Sequence, residues 1–267
     1  MSHYKVGICG MGFVGNAIFQ FLHPLPQLDV IPYDKYKEMN TLADLFATDV
    51  LFLCLPTPYQ ADLKTYDLQE LDNVLASLAN QGYTGAVLIK STILPDYCMK
   101  MNQLYPGLKI IHNPEFLSAR TAVVDFAQQK QIVLGFTEQS QPLAAYIQTF
   151  YAELFPQAFI SVSTSECSAL MKLGCNSFYA TKIQFFTELY LLCQDLHVPY
   201  NEVKEMMIKN EWIHPNHTEV PGSDEAISFG GACLPKDIAA LKAYMQTLDV
   251  PCEVLQAVVR ERDLMRG

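Results

Sequence analysis

The sequence lacks any uninterrupted apolar run as long as the ~18 residues that a membrane-spanning helix needs, although 50% of its 267 residues are apolar. Its first residues lead straight into strand-like sequence rather than into the charged and apolar regions of a signal peptide. We therefore expect neither a membrane protein nor a secreted one. The apolar content is ample for a core, and the length predicts about two domains of ~100–200 residues each.

Paired cysteines are also missing, because the eight cysteines show no C-x-x-C spacing and mostly stand inside apolar segments. Such a pattern is typical of reduced thiols in a cytosolic protein, without a disulfide framework or a zinc site. His214 and His217 lie three residues apart, but no third ligand with metal spacing is near, so a surface loop is expected there. We predict a cytoplasmic protein that holds no metal.

Basic residues are scarce. The chain has 18 lysines and arginines against 28 aspartates and glutamates, which gives a formal net charge of −10. This balance argues against nucleic acid as the main partner, whereas an anionic small ligand needs only local donors. The sequence has neither an internal repeat nor a low-complexity tract, so no repeat architecture is expected.

A glycine-rich segment near the N-terminus carries the first functional signal. The apolar run over residues 4–9 is followed at residues 10–15 by G-x-G-x-x-G and then by helical spacing of apolar residues. This order lets a pyrophosphate lie on the helix N-terminus. A second strand, over residues 29–33, ends at Asp34, about twenty residues later, where an acid binds ribose hydroxyls and repels a 2′-phosphate. The pattern predicts NAD rather than NADP; the alternative is a glycine turn that binds nothing.

The first part of the chain alternates strand and helix patterns. Further apolar strands are predicted over residues 49–55, 86–90, 109–112 and 131–135. The alternation predicts a Rossmann-type, doubly wound, mostly parallel sheet with helices on both faces. Ligands of such sheets bind at the carboxyl ends of the strands. The polar residues that collect there are Asp34, Thr57, Thr92 and Glu115.

The second part is predicted to be all helical. Its longest helical pattern covers residues 166–196 with apolar residues on more than one face, so we expect it to be buried between domains or against a second copy. Shorter helices are predicted over residues 199–209, 238–248 and 252–264, with a polar loop over residues 210–228. The resulting division is a NAD-binding domain over residues 1–163 and a helical domain with a long central helix over residues 164–267.

Residues 229–237, F-G-G-A-C-L-P-K-D, form the most informative segment. Adjacent glycines let a backbone come close to a ligand, and Pro-Lys-Asp is typical of a helix start. A thiol at a helix N-terminus, with Lys236 nearby, should titrate low enough to act as a nucleophile, which makes Cys233 a candidate. The alternative is a buried cysteine in a tight turn.

This segment resembles the signature of the UDP-glucose/GDP-mannose dehydrogenase family, NAD-dependent enzymes that oxidise a sugar alcohol to a carboxylate in two steps. Further segments are similar to family motifs, namely residues 53–58 (V-P-T-P), 90–95 (S-T-V-P), 113–117 (N-P-E-F-L), 172–176 (K-x-x-x-N) and 220–224 (V-P-G-x-D). The motifs occur in the family order along essentially the whole chain. Such an order is hard to reach by chance.

The resemblance implies roles for individual residues. The implied catalytic residues are Cys233, Lys172, Asn176, Asp237, Thr92 and Glu115. The implied cofactor-binding residues are Gly10, Gly12, Phe13, Val14, Gly15, Asp34, Lys35, Thr57 and Thr92. The implied substrate-binding residues are Glu115, Phe116, Leu117, Lys172, Asn176, Phe229 and Gly230.

In the implied mechanism Cys233 adds to the aldehyde between two hydride transfers to NAD, and Asp237 helps to position the water that hydrolyses the thioester. Lys172 and Asn176 lie four residues apart, so both side chains emerge on one helical face, where an ammonium and a carboxamide suit an oxyanion. The alternative is a solvated lysine and an incidental asparagine. For the two threonines the alternative is ordinary turn chemistry.

The match also has gaps. Full-length family enzymes continue into a second Rossmann-like domain that closes over the nucleotide, and this chain resembles a short form without it. Weak affinity for a nucleotide sugar is therefore expected unless a separate chain supplies that second domain. Ala119 stands where the family usually carries a second glutamate, and Ser228 stands where it has glycine. The resemblance further implies a homodimer through the 166–196 helix.

The predicted function is NAD-dependent oxidation of a UDP-glucose-like nucleotide sugar to the uronic acid through a Cys233 thiohemiacetal and thioester, as in polysaccharide biosynthesis. One alternative is a β-hydroxyacid dehydrogenase-like enzyme, which explains the length but leaves the cysteine motif without a purpose. Another is a catalytically inactive NAD-binding subunit. Turnover that does not depend on Cys233 would favour the hydroxyacid dehydrogenase. NAD binding without any turnover would favour the inactive subunit.

Overall fold

The computed structural model describes residues 3–266 and divides into two compact units. The first unit runs to Pro58 and resumes from Asp67 to Lys172. The second consists of Tyr59–Tyr66 and of the chain from Leu173 onward. The predicted domain division between residues 163 and 164 stays a prediction.

The described residues form nine strands and nine α-helices. The strands are β1 Tyr4–Cys9, β2 Leu28–Tyr33, β3 Val50–Leu53, β4 Tyr59–Gln60, β5 Thr65–Tyr66, β6 Ala86–Ile89, β7 Lys109–His112, β8 Gln131–Phe136 and β9 Phe159–Thr164. The helices are α1 Phe13–Leu22, α2 Gln69–Asn80, α3 Tyr97–Leu104, α4 Ala122–Ala127, α5 Ala144–Leu154, α6 Ser165–Asp195, α7 Tyr200–Ile208, α8 Leu234–Thr247 and α9 Glu253–Arg266.

The first unit is built on a seven-stranded sheet in the order β2-β1-β3-β6-β7-β8-β9. Neighbouring strands are parallel except for the antiparallel pair β7 and β8. Every residue of β3 and β6 is buried, as expected for strands that helices cover on both faces. The predicted Rossmann-type, mostly parallel sheet is confirmed.

Two apolar cores lie on the opposite faces of this sheet. Because successive strand residues point to opposite faces, Val50 and Phe52 belong to one core, whereas Leu51 and Leu53 belong to the other. The alternation continues in β6, where Leu88 packs in the first core. A continuous apolar run is therefore required in these strands, since neither face meets water.

The predicted strands lie within two residues of the observed ones, but two features were missed. Strand β9 is mostly exposed and reads F-I-S-V-S-T, which gives a weak apolar signal. The antiparallel hairpin β4–β5 has two residues in each strand, too few for any periodicity. This hairpin interrupts the first unit in sequence and belongs to the second.

The second unit packs α7, α8, α9 and most of α6 around two small apolar clusters. One contains Phe229 and Ile238, and the other contains Phe186 and Tyr200. Helix α8 begins at Leu234 with Pro235 in its first turn, as Pro-Lys-Asp predicts, and its apolar helical pattern starts four residues later, at residue 238.

Helix α6 leaves large apolar side chains exposed. Leu170, Phe178, Phe185 and Leu192 are each more than half exposed. Burial of this helix against a second copy stays a prediction. Among residues 3–266, no helix combines the length and the apolar content needed to cross a membrane, and no cluster of three metal-ligating side chains occurs.

Candidate active site

The glycine turn lies between β1 and α1. Gly10 has a φ of +91°, and a Cβ at Gly15 would lie 1.9 Å from the Gly10 carbonyl oxygen, so the turn itself requires both glycines. A Cβ at Gly12 would meet no atom within 4 Å. Gly12 is the N-cap of α1, and a glycine offers no side chain to the first N–H groups of the helix. The open side of this turn suits a phosphate.

Asp34, at the carboxyl end of β2, is held by the glycine turn. Its Oδ2 accepts a hydrogen bond from the Met11 N–H at 2.8 Å, and its Oδ1 accepts one from the Tyr36 N–H at 3.0 Å. The carboxylate is therefore fixed beside the turn, where it can still accept from ribose hydroxyls and repel a 2′-phosphate. These residues fit NAD. The neighbouring Lys35 pairs with Glu70 at 2.8 Å in an exposed ion pair.

The other predicted cofactor residues lie along the same edge of the sheet or in α1. Thr57 and Thr92 are buried, and the Thr57 hydroxyl donates to the Thr92 carbonyl at 2.9 Å. This bond joins the segments that follow β3 and β6. Phe13 is 41% exposed, whereas Val14 packs against the core. The two threonines are thus brought together as the edge argument predicts.

Lys172 organises the N-P-E-F-L segment after β7. Its Nζ donates to the Glu115 carbonyl oxygen at 2.7 Å and lies 3.4 Å from Glu115 Oε1. Their side chains are only 6% and 10% exposed. Glu115 Oε2 accepts from the Leu117 N–H at 2.6 Å, and the Lys172 ammonium lies 5.2 Å from the Phe116 ring centroid. A buried charge pair therefore stands at this edge of the sheet.

Lys90 also contacts the N-P-E-F-L segment. It was not predicted as a site residue. Its buried ammonium donates to Asn113 Oδ1 at 3.0 Å and lies 3.4 Å from the Pro114 carbonyl. Burial lowers the pKa of Lys90 to about 8. The Tyr151 hydroxyl also donates to Asn113 Oδ1. The signal that sequence analysis could have used is a lysine that ends an otherwise apolar buried strand.

His112 is a second buried titratable group that the sequence analysis missed. Its Nδ1 lies 2.8 Å from Ser168 Oγ, and the side chain is fully buried. Burial, followed by the charges of Lys90 and Lys172, lowers the pKa of His112 to about 3. The ring is therefore neutral at physiological pH and adds no further positive charge beside the two lysines.

Asp237, in the first turn of α8, is the centre of the second unit's site. It is fully buried. Its Oδ1 accepts from the Tyr66 hydroxyl at 2.6 Å and from Lys236 Nζ at 2.5 Å, and its Oδ2 accepts from Asn176 Nδ2 at 2.5 Å. Cys233, partly exposed, occupies the N-cap position of the same helix. The thiol thus lies where the helix dipole favours a thiolate.

Lys172 and Asn176 have different partners in the structure. Lys172 is paired with Glu115, whereas Asn176 donates to Asp237. Their predicted convergence on an oxyanion stays a prediction. Tyr66 was missed altogether, because 171 positions separate it from Asp237 and no local pattern marks it.

The segment before Cys233 is held by Arg266, the last residue of α9. The guanidinium donates to both Asp224 carboxylate oxygens at 2.7 and 3.2 Å and to the carbonyls of Ile227 and Ser228 at 2.8 Å. A hydrogen bond from Arg266 lowers the pKa of Asp224 to about 2. A Cβ at Gly230 would lie 2.2 Å from Arg266 Nη1, so this predicted site glycine makes room for the arginine.

Ser228 and Phe229, the two residues before Gly230, show how the segment is fixed. The Phe229 side chain is buried in the core with Ile238, so a substrate contact of this residue would have to come from its backbone. The contact itself stays a prediction. Ser228 has a φ of +60°, a conformation that favours glycine. The Ser228 hydroxyl donates to Gln184 Oε1 at 2.6 Å.

Comparison with known proteins identifies the family. The NAD binding domain of the UDP-glucose/GDP-mannose dehydrogenase family matches residues 33–155, and the central domain of the same family matches residues 166–262. The chain belongs to this family. The matched NAD binding domain and the fit of the glycine turn and Asp34 identify NAD as the cofactor.

Individual relatives agree. UDP-glucose 6-dehydrogenase from Rickettsia typhi is 31% identical over 248 residues, which are 88% of this chain and 54% of the relative. The chain therefore spans about half of that relative's length. A UDP-glucose dehydrogenase from the hyperthermophilic archaeon Pyrobaculum islandicum has a TM-score of 0.83 at 22% identity, covering 98% of this chain and 68% of that one.

The fold extends to another class of dehydrogenase. Mycobacterium tuberculosis 3-hydroxyisobutyrate dehydrogenase has a TM-score of 0.73 at 12% identity, covering 98% of this chain and 93% of its own. At identities this low the likeness of either solved structure shows a shared fold.

Proposed function

We propose that the chain catalyses the NAD-dependent oxidation of the primary alcohol of a UDP-glucose-like nucleotide sugar to the uronic acid, with covalent intermediates on Cys233. The observation that carries this proposal is the start of α8. There Cys233 is the N-cap, and one turn later a fully buried Asp237 accepts three hydrogen bonds. A partly exposed thiol at a helix N-terminus beside an oriented carboxylate suits acyl transfer to water.

In this mechanism the glycine turn and Asp34 would hold NAD, and two NAD molecules bound in succession would accept the hydrides of the two oxidations. The alcohol first loses two electrons and two protons to become the aldehyde. The Cys233 thiolate adds to the aldehyde carbon while the carbonyl oxygen takes up a proton, and the resulting thiohemiacetal loses a hydride from carbon and a proton from its hydroxyl to become a thioester. Water then attacks the thioester carbon, and the C–S bond breaks to release the carboxylate and the thiol.

The other residues act through charge and position. We assign to Lys172 the stabilisation of the alkoxide, because its ammonium is buried and held in place beside Glu115. Glu115 and Thr92 provide a water-linked proton path from the substrate. Asp237 orients the hydrolytic water, and Asn176 fixes one oxygen of that carboxylate and adds an amide dipole for the oxyanion.

We further propose that the NAD-binding domain comprises residues 1–163, that the helical domain comprises residues 164–267, and that α6 forms a homodimer. The exposed apolar side chains Phe178 and Phe185 support the dimer, since they are 63% and 53% exposed. Sedimentation should give a dimer that Phe185→Asp dissociates; an unchanged mass would exclude this interface.

A nucleotide-sugar-binding domain added as a separate chain should lower the KM for the nucleotide sugar.

The decisive test is one assay with purified protein, NAD and a panel of UDP- and GDP-sugars, followed by NADH absorbance. Wild type should form about two NADH per acid released, and Cys233→Ser should stall after the first oxidation. Cys167→Ser, at an exposed thiol in the first turn of α6, is the matched control and should turn over normally.

Three outcomes contradict the proposal. Full turnover by Cys233→Ser removes the covalent role. Oxidation of a β-hydroxyacid that does not depend on Cys233 supports the hydroxyacid dehydrogenase alternative. NAD binding without turnover of any nucleotide sugar, alone or with a separate C-terminal domain, supports an inactive subunit.

A further inference from the structure

The hairpin β4–β5 brings an unexpected side chain to the cysteine helix. Tyr59 and Tyr66 are cross-strand partners in it, and both strands contact α8. Tyr66 is 3% exposed, and its hydroxyl donates to Asp237 Oδ1 at 2.6 Å. A short O–H···O⁻ bond to a buried carboxylate is among the stronger hydrogen bonds in proteins.

A buried carboxylate needs several donors, because an unpaired charge is costly away from water. Asn176 serves Oδ2, while Tyr66 and Lys236 share Oδ1. The Lys236 ammonium also lies 4.7 Å from the Tyr66 ring centroid, so the tyrosine contacts both the carboxylate and its counter-ion. Tyr66 is therefore the group that aligns this end of the carboxylate.

The electrostatics keep Tyr66 a donor. Burial, followed by the charge of Asp237 and the hydrogen bond to it, raises the pKa of Tyr66 well above its ordinary value. The phenol is therefore protonated throughout the working pH range. The charge of a Cys233 thiolate raises the pKa of Tyr66 further, so the phenol and the thiol interact electrostatically.

We propose that Tyr66 is a positioning residue of the oxidation: it fixes the Asp237 carboxylate, and through it the water that hydrolyses the Cys233 thioester. The inference rests on the function proposed above. It assigns to the hairpin a role that neither the family motifs nor the sequence pattern indicates.

Tyr66→Phe tests the inference because it removes the hydroxyl and keeps the ring over which Lys236 lies. We expect kcat to fall by up to about 10²-fold, with kcat/KM for the sugar nearly unchanged because the steps before hydrolysis do not depend on the Asp237 carboxylate. Since hydrolysis becomes the slow step, NADH should appear in a burst of about two per active site, and mass spectrometry should find acyl-enzyme on Cys233. The matched control is Tyr59→Phe, which removes the hydroxyl from the opposite strand position and should match wild type in kcat and in burst amplitude.

A second readout needs no substrate. Without the Tyr66 donor the Asp237 charge is less compensated, so the Cys233 thiolate is disfavoured and the pH profile of its alkylation by iodoacetamide should shift upward. Wild-type turnover with neither a burst nor a shifted profile in Tyr66→Phe overturns the inference, and so do equal losses in Tyr66→Phe and Tyr59→Phe. A wild type that turns over no nucleotide sugar overturns the proposed function instead, while the alkylation profile still reports on Tyr66.

Discussion

Each unit buries a charged cluster, and the two clusters differ in how their charges are satisfied. The lysine cluster of the first unit comprises Lys90, Asn113, Glu115 and Lys172, with two ammoniums for one carboxylate. The carboxylate cluster of the second comprises Tyr66, Asn176, Lys236 and Asp237, with three donors around one carboxylate.

The difference lies in what satisfies each charge. Lys90 donates to neutral oxygens, Asn113 Oδ1 and the Pro114 carbonyl, and burial lowers its pKa to about 8. Asp237, by contrast, faces an ammonium, a phenol and an amide, and its charge is compensated directly. The first cluster therefore has a charge that depends on pH within the working range, whereas the second is a fixed scaffold.

The largest effect is expected from breaking the carboxylate cluster. Asp237→Ala leaves the buried donors of Tyr66 and Asn176 without an acceptor and Lys236 without its carboxylate, so the free energy of unfolding should fall by about 3 kcal/mol or more. Urea denaturation followed by circular dichroism measures it. The control is Asp263→Ala on α9, whose carboxylate is 58% exposed and should matter by less than about 0.5 kcal/mol. Equal losses in both variants would mean that the cluster is no scaffold.

The lysine cluster should respond to pH instead. A buried lysine whose folded-state pKa of about 8 lies below its unfolded value of 10.5 is deprotonated in the folded state first. Between these two pH values the unfolded state binds more protons, so stability should rise with pH across this window. The rise is on the order of 3 kcal/mol.

The matched variant is Lys90→Met, which keeps the apolar stem and removes the charge. Its free energy of unfolding, measured by urea titration at pH 7 to pH 10.5, should show a flatter dependence than wild type over the upper part of this range. At neutral pH Lys90→Met should be destabilised far less than Asp237→Ala, since replacing a buried charge by an apolar group of similar size is often close to neutral. An identical slope in wild type and variant would place the titration elsewhere.

Sequence analysis found the parts of both sites that contiguous residues encode. The glycine turn, Asp34 and the fold class follow from strand, turn and helix in immediate succession. The start of α8 follows from Pro235, which stands two residues after Cys233. The structure confirms the fold, and the family match confirms NAD.

The rest was not accessible because its partners are far apart in the chain or lack a period. Tyr66 reaches Asp237 across 171 positions from a hairpin with two residues per strand. Lys90 ends an apolar strand, and a single polar residue there resembles ordinary turn chemistry. The members of the carboxylate cluster are identified by which donors and acceptors pair in three dimensions, and residue type alone does not reveal them.

The smallest expected effect concerns Gly174, which lies on α6 between Lys172 of one cluster and Asn176 of the other. A Cβ there would meet no atom within 4 Å, so Gly174→Ala should only remove the helix penalty of glycine and stabilise the protein by about 1 kcal/mol. Gly12→Ala, at the other glycine with open space around its Cβ, is the contrasting variant and should weaken NAD binding. If Gly174→Ala raises the unfolding midpoint and leaves kcat unchanged, the glycine serves no step of turnover; if kcat falls while the midpoint rises, turnover needs the glycine at this position of α6. An unchanged or lower midpoint would contradict the expected gain in helix stability.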